Sequence, residues 1–283
     1  MAKKKAAKTA KTTPAVDPQE RLNAEAEAEG AGDVASPPET VETNGIEGQR
    51  ELLAALPVKE LPPVQATPEK SKDDEVVLGV PRAVFEKLSY FNGFTGDSAR
   101  YLPKLLEPES LPQWRRRGDC EHDPSFKQLI PYLIVRTRAG GVEQFFTYRR
   151  KGDAKNNEGR LLAKRSAGIG GHIDRDKDGA EPAQAYFAGV ARELAEECGV
   201  NLAGSAHTII GCVNDEGTDV GKVHLGFVYV VDVTDPAGVH GMEEAIHEGK
   251  FEPLSSIMRD LGSFEPWSIS VLSYLHQLSS PKS

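Results

Sequence analysis

Large apolar residues are scarce over the first part of the chain and then arrive in short, regular groups. Val76–Phe85 (VVLGVPRAVF) reads as a strand running into a turn, and residues 95–118 as a surface excursion ending in Arg115-Arg116-Arg117. Gln128–Thr137 (QLIPYLIVRT) and Glu143–Arg149 (EQFFTYR) flank Ala139-Gly140-Gly141, and two apolar runs around a glycine turn predict a hairpin. Ser166–Ile173 reads as a glycine-rich strand or loop and His207–Val213 as a strand. Val223–Val231 is predicted to be a long buried strand by its β-branched and aromatic content. Lys250–Leu254 is strand-like, and Ser268–Leu278 closes the chain as an apolar-faced helix. Strands with a few helices and no regular βαβ alternation predict an α+β class, layered as an α/β/α sandwich with a mixed β-sheet.

The strongest helix signal is Pro182–Cys198. Proline suits the first helical turn, where its missing N–H is not needed, and Gly199 suits the left-handed position just past the end. Phe187, Ala191, Leu194 and Cys198 recur at three- and four-residue spacing and predict a core-facing stripe. Glu193, Glu196 and Glu197 stand at i, i+3 and i+4, side by side on another face. Three carboxylates so placed repel one another, and the helix C-terminus adds to the cost. A bound hard cation such as Mg²⁺ resolves the conflict; a solvated acidic face is the plainer explanation.

Composition divides the chain. None of the ten Phe, seven Tyr and two Trp precedes Phe85, so residues 1–75 are expected to be a disordered tail and 76–279 the folded domain. Within that domain 76–125 reads as an N-terminal extension and 126–279 as the core. The tail opens on a Lys/Ala/Thr head, residues 1–12, that is more often solvated than bound to nucleic acid, and then turns acidic and Pro-rich. Ile46–Val58 has the pattern of a short amphipathic helix. The net charge of −9 argues against nucleic acid as the main partner. Three cysteines without CxxC spacing indicate neither a disulfide framework nor a zinc site, and with no apolar run of membrane length the expectation is a cytoplasmic protein. Nothing in the sequence sets an oligomeric state.

Arg192–Val200 reads RELAEECGV, preceded by Gly170-Gly171. This resembles the second half of the Nudix box, Arg-Glu-apolar-x-Glu-Glu-x-Gly-apolar, at every fixed position. The first half departs from it. Gln184 falls where the box glutamate is expected and Asp178 where its glycine is, and twenty residues separate Gly171 from Arg192 where the usual box has thirteen. The difference reads as a seven-residue insertion around DRDKDGAEP, with Glu181 as a displaced substitute. SAGIGGHI at 166–173, DPSFKQLIPY at 123–132, DVGKVHLGFVYVV at 219–231 and PWSISVLSYL at 266–275 also look like the MutT-like predicted phosphoesterase subgroup.

The resemblance, covering about 76–278, implies a Nudix-like α/β/α sandwich and a metal-dependent hydrolase of a phosphoanhydride or phosphoester, acting through activated water. Its substrate would be small, phosphorylated and nucleotide-like. By that likeness Glu193, Glu196 and Glu197 hold Mg²⁺ or Mn²⁺ with a backbone carbonyl of Gly170 or Gly171, and Arg192 orients Glu193. The general base is Glu197 or one of Glu243, Glu244 and Glu248. Arg149, Arg150, Lys164 and Arg165 are favoured for anionic substrate contacts, against a reading as solvated loop charge. His172 follows the glycine pair, within reach of the metal or as a buried hydrogen-bonding histidine, and His224 reads as structural. Asp215, Glu216 and Asp219 shape a turn. A non-catalytic nucleotide-binding module is the alternative, resting on the altered first half of the box.

Overall fold

A computed structural model describes residues 71–150, 164–241 and 246–279. The Lys/Ala head, the Ile46–Val58 segment, Glu243 and Glu244 lie outside the described residues. The strands are β1 (Val76–Pro81), β2 (Gly93–Thr95), β3 (Gln113–Arg116), β4 (Phe126–Thr137), β5 (Gln144–Arg150), β6 (Arg165–Ser166), β7 (Gly168–Gly170), β8 (Ala206–Asn214), β9 (His224–Val233) and β10 (Ile246–Pro253). The helices are α1 (Arg82–Ser89), α2 (Ser98–Leu106), α3 (Arg117–Cys120), α4 (Arg175–Asp178), α5 (Pro182–Cys198), α6 (Asp219–Val223), α7 (Leu254–Arg259) and α8 (Pro266–Ser279).

The ten strands form one mixed sheet with the path β10-β5-β4-β9-β8-β2. Its centre is the parallel pair β4–β9, in continuous register from Gln128↔His224 to Thr137↔Val233, while the other pairs of neighbouring strands among the described residues run antiparallel. Both central strands are buried on both faces, which explains their unbroken apolar runs. One face packs Tyr186, Val190, Leu194 and Cys198 of α5 with Tyr101 and Leu105 of α2. The other packs Val271, Leu272 and Leu275 of α8 with Ile257 of α7. The sandwich is therefore the expected one.

Three expectations are corrected. The turn after Val80 is helix α1, whose Phe85 is fully buried. Residues 95–118 are no surface excursion: Tyr101, Leu102, Leu105 and Leu106 of α2 enter the core, and β3 pairs with β1. The stripe of α5 that faces the core is centred on Tyr186, Val190 and Leu194, with Phe187 and Ala191 at its half-buried edge.

The basic run is also structural. Arg117 pairs with Glu75 at 2.8 Å and with Glu121 at 3.3 Å, and the Arg115 guanidinium sits 4.2 Å above the Phe126 ring. Order thus begins before Val76. Burial works to raise the Glu75 carboxyl, but Arg117 and Lys177 outweigh it and hold its pKa below the ordinary 4.5. Glu216 behaves likewise through Lys127 and Arg82. For both, the unfolded chain takes up a proton before the folded one, so their stabilisation is full above about pH 4.5 and is lost as pH falls through the folded values. Urea unfolding from pH 6 to pH 3 is expected to show this decline, at most about 1.4 kcal/mol per pH unit for each group. It becomes shallower in Glu75→Gln and in Glu216→Gln; equal slopes in both variants and the wild type would refute the assignment.

Candidate active site

Helix α5 carries the three glutamates in its last two turns. It ends where the sequence places the stop: Gly199 adopts φ 68°, its N–H donates to the Ala195 carbonyl at 3.0 Å, and Val200 N–H donates to Leu194 at 3.4 Å. One turn earlier, Arg192 gathers the acids. Its Nε and Nη2 donate to Asp178 Oδ1 and Oδ2 at 2.7 and 2.9 Å. Its Nη1 reaches Glu193 Oε1 at 2.8 Å and Glu196 Oε2 at 2.9 Å, and Nη2 also donates to the His172 carbonyl at 2.9 Å. Burial opposes the charged guanidinium, but hydrogen bonding to Asp178 and the charges of Glu193, Asp178 and Glu196 prevail and raise its pKa.

Glu193 is buried, and its carboxylate lies directly against Gly171, where a Cβ would collide with it. Burial pushes its pKa above the ordinary glutamate value, and Arg192 offsets only part of that. Glu196 is exposed and Glu197 half-buried. The geometry thus joins Arg192, Glu193, Glu196 and Gly171 as expected from the sequence.

Glu181 is not the displaced box carboxylate. It is exposed at the N-cap of α5, and Gln184 is exposed as well. Asp178 takes that place, with its side chain 1% exposed. The inserted residues coil into α4, capped by Asp174, whose side chain accepts from Asp176 N–H at 3.1 Å. This turn returns Asp178 over α5 at Gly189, where a Cβ would stand 2.9 Å from Asp178 Oδ2. The insertion holds four acids, and only the fold selects among them.

Two of the expected substrate residues share a cleft. Arg149 and Arg165 line a cleft of about 480 Å³ with Thr147, Lys250 and Glu252, and that lining includes none of the α5 glutamates. Arg165 is buried, paired with Glu252 and stacked 4.4 Å over Phe264; Arg149 pairs with Glu248 at 3.1 Å. Lys164 donates to the Gly262 carbonyl at 3.2 Å. Arg150 ends β5, and its side chain is outside the described set. Glu248 lines the same cleft, at φ 53°.

The turn acids behave structurally. Asp215 accepts from Gly217 N–H and Thr218 Oγ1, and Asp219 pairs with Lys222. Glu216 binds buried Lys127 at 2.8 Å, a pairing that the sequence did not signal because Lys127 sits inside an apolar strand. His172 and His224 face each other with Nε2 atoms 3.0 Å apart. All three cysteines are free and buried, and burial pushes the Cys120 thiol up to about 11.

No family model matches the chain. Protein YmaB of Bacillus subtilis (strain 168) is 34% identical over 209 residues, 72% of this chain and 98% of that protein. The crystal structure of Tm1382, a proposed Nudix hydrolase, matches with TM-score 0.58 and 27% identity, covering 72% of this chain and 99% of that one. The chain belongs to the Nudix superfamily. This Nudix protein shares its fold with that solved structure, and no helix among the described residues is long and apolar enough to cross a membrane.

Proposed function

We propose that this Nudix protein hydrolyses a phosphoanhydride or phosphoester bond in a small, nucleotide-like substrate, using water activated at the C-terminal half of α5. The observation that carries the reading is the Arg192 hub, which fixes Asp178, Glu193 and Glu196 together beside the Gly171 backbone. The carboxylate donor set fits a hard divalent cation, and the raised pKa of buried Glu193 marks a negative charge that its surroundings only partly compensate. Glu193, Glu196 and Glu197, with the Gly171 backbone, would hold Mg²⁺ or Mn²⁺, which supplies charge neutralisation on the phosphate and a lowered water pKa.

The protein's own part is positioning. Arg192 prevents Glu193 and Glu196 from splaying apart, and Asp178 locks Arg192 bidentately. Burial of Glu193 and the glycine at 171 bring backbone and carboxylate into contact. Glu197 shares the face and is the favoured proton acceptor from water. Glu248 is the lesser choice, being engaged with Arg149 in the separate cleft. The module reading rested on the altered box; Asp178 supplies the missing carboxylate and weakens it.

Release of phosphate or nucleotide is to be measured over a panel of nucleoside-diphosphate derivatives, with and without Mg²⁺ or Mn²⁺. Turnover is expected to require metal and to fall at least about a hundredfold in Glu197→Gln. Turnover indifferent to metal and to the substitution would overturn the reading. Nucleotide binding without turnover in either protein would favour the module.

A further inference from the structure

Four elements outside the glutamate face of α5 converge on a second set of metal-type donors. Glu121 caps the end of α3, His172 follows β7, His224 opens β9, and Gln128 lies beside His224 in the parallel register of β4. His172 Nε2 and His224 Nε2 are 3.0 Å apart, and Glu121 Oε1 stands 3.7 Å from the first and 3.9 Å from the second. The circle through these three atoms has a radius of about 2.1 Å, the length of a Zn–N or Zn–O bond. An ion at the centre of that circle would lie at bonding distance from all three donors.

The surroundings prepare the donors. His224 Nδ1 lies 2.7 Å from the Val220 carbonyl, which fixes the neutral tautomer with its proton there and leaves the Nε2 lone pair facing the cluster. Arg117 Nε donates to the same Glu121 Oε1 at 3.3 Å, and Arg117 also pairs with Glu75.

A plain pair of hydrogen-bonded histidines leaves a residue unexplained. The Gln128 side chain is fully buried with Nε2 3.2 Å from His224 Nε2, so two nitrogens crowd one lone pair, and Gln128 Oε1 has no hydrogen-bond partner among the described residues. An unsatisfied buried oxygen beside two imidazoles and a carboxylate points to a bound ligand. His172 and Glu121 are partly open, so the cluster has an entry path.

We propose that Glu121, His172 and His224 form a binding site for a borderline transition-metal dication of the Zn²⁺ class, separate from the glutamate face of α5. Two imidazoles and one carboxylate select Zn²⁺ over Mg²⁺, which prefers all-oxygen surroundings. The claim stands whether or not the chain is a hydrolase.

The test uses the full chain carrying Glu196→Gln and Glu197→Gln, which weakens the α5 face and leaves the histidine cluster intact. Calorimetric titration with Zn²⁺ is expected to show one site that excess Mg²⁺ does not displace, and Co²⁺ is expected to give visible absorption bands of nitrogen-coordinated metal. Adding His172→Gln or Glu121→Gln should weaken Zn²⁺ at least about tenfold and abolish the bands. Both positions are partly open, so these variants are expected to stay folded, and circular dichroism verifies it. No Zn²⁺ binding to the parent, or binding untouched by both substitutions in folded protein, overturns the proposal.

Discussion

Replacing Asp178 by alanine is expected to destabilise the protein by about 3–5 kcal/mol, the cost of removing one partner of a buried ion pair. Both oxygens of Asp178 are used by Arg192, one of them also accepts Asp174 N–H at 2.9 Å, and the side chain is all but inaccessible. Without it Arg192 keeps Glu193 and Glu196, so the guanidinium remains charged but loses its bidentate anchor and swings with the more exposed Glu196. For a domain of about 200 residues the fall in Tm is roughly 6–20 °C. Glu181→Ala and Gln184→Ala, at the positions that motif counting favours, are expected to change stability by no more than about 0.5 kcal/mol. Thermal unfolding of the three variants decides between them. A tolerated Asp178→Ala beside a damaging Glu181→Ala would return the box carboxylate to its sequence position.

Lys127→Met is expected to be comparably damaging, at about 3 kcal/mol or more, although methionine is an unbranched apolar replacement for the lysine stem and the position lies in an apolar strand. Lys127 Nζ donates to Asn214 Oδ1 and Glu216 Oε1 at 2.8 Å and to the Gly221 carbonyl at 3.0 Å, all from a fully buried position. Removing the ammonium takes the donor from Asn214 Oδ1, and leaves Glu216 with Arg82 and the Gly221 carbonyl with the His224 N–H. Burial works against the charged form and Glu216 supports it, with the first effect larger, so the Lys127 pKa is lowered. Its value lies in joining β4, the end of β8 and the turn before β9, rather than in net ion-pair energy. Adding Glu216→Gln to Lys127→Met should recover part of the loss, because the carboxylate, left with Arg82 as its cation, is then neutral. Strictly additive losses in denaturant unfolding would contradict this coupling.

Much of this was legible in the sequence where local chemistry decides structure. Pro182 and Gly199 bound α5 as read, and the paired apolar runs around Gly140 gave β4 and β5. Where the deciding partner is distant in sequence, the reading failed. Residues 95–118 held helical spacing in Tyr101, Leu102, Leu105 and Leu106, but the segment ends in a basic run and read as surface. The pairing of β3 with β1 and the ion pairs of Arg117 to Glu75 and Glu121 have no local signature. In the candidate site, the Arg192–Glu193–Glu196 face was plain from its spacing. Asp178 was hidden among neighbouring acids, and His172 and His224 read as isolated structural residues because the parallel strands that assemble their cluster are not written in either segment.

That parallel pairing also orders events in time. Gln128 and His224 meet across 96 residues, so β4 cannot be paired on that side until β9 has been synthesised and the intervening chain closed into a loop. The Asp178–Arg192 contact spans only fourteen residues and rests on two adjacent helices. On a growing chain the hub of α5 is thus assembled from neighbours, while the histidine pair waits for the sheet to close. A nascent protein would carry its acidic face before it had a core to set it on.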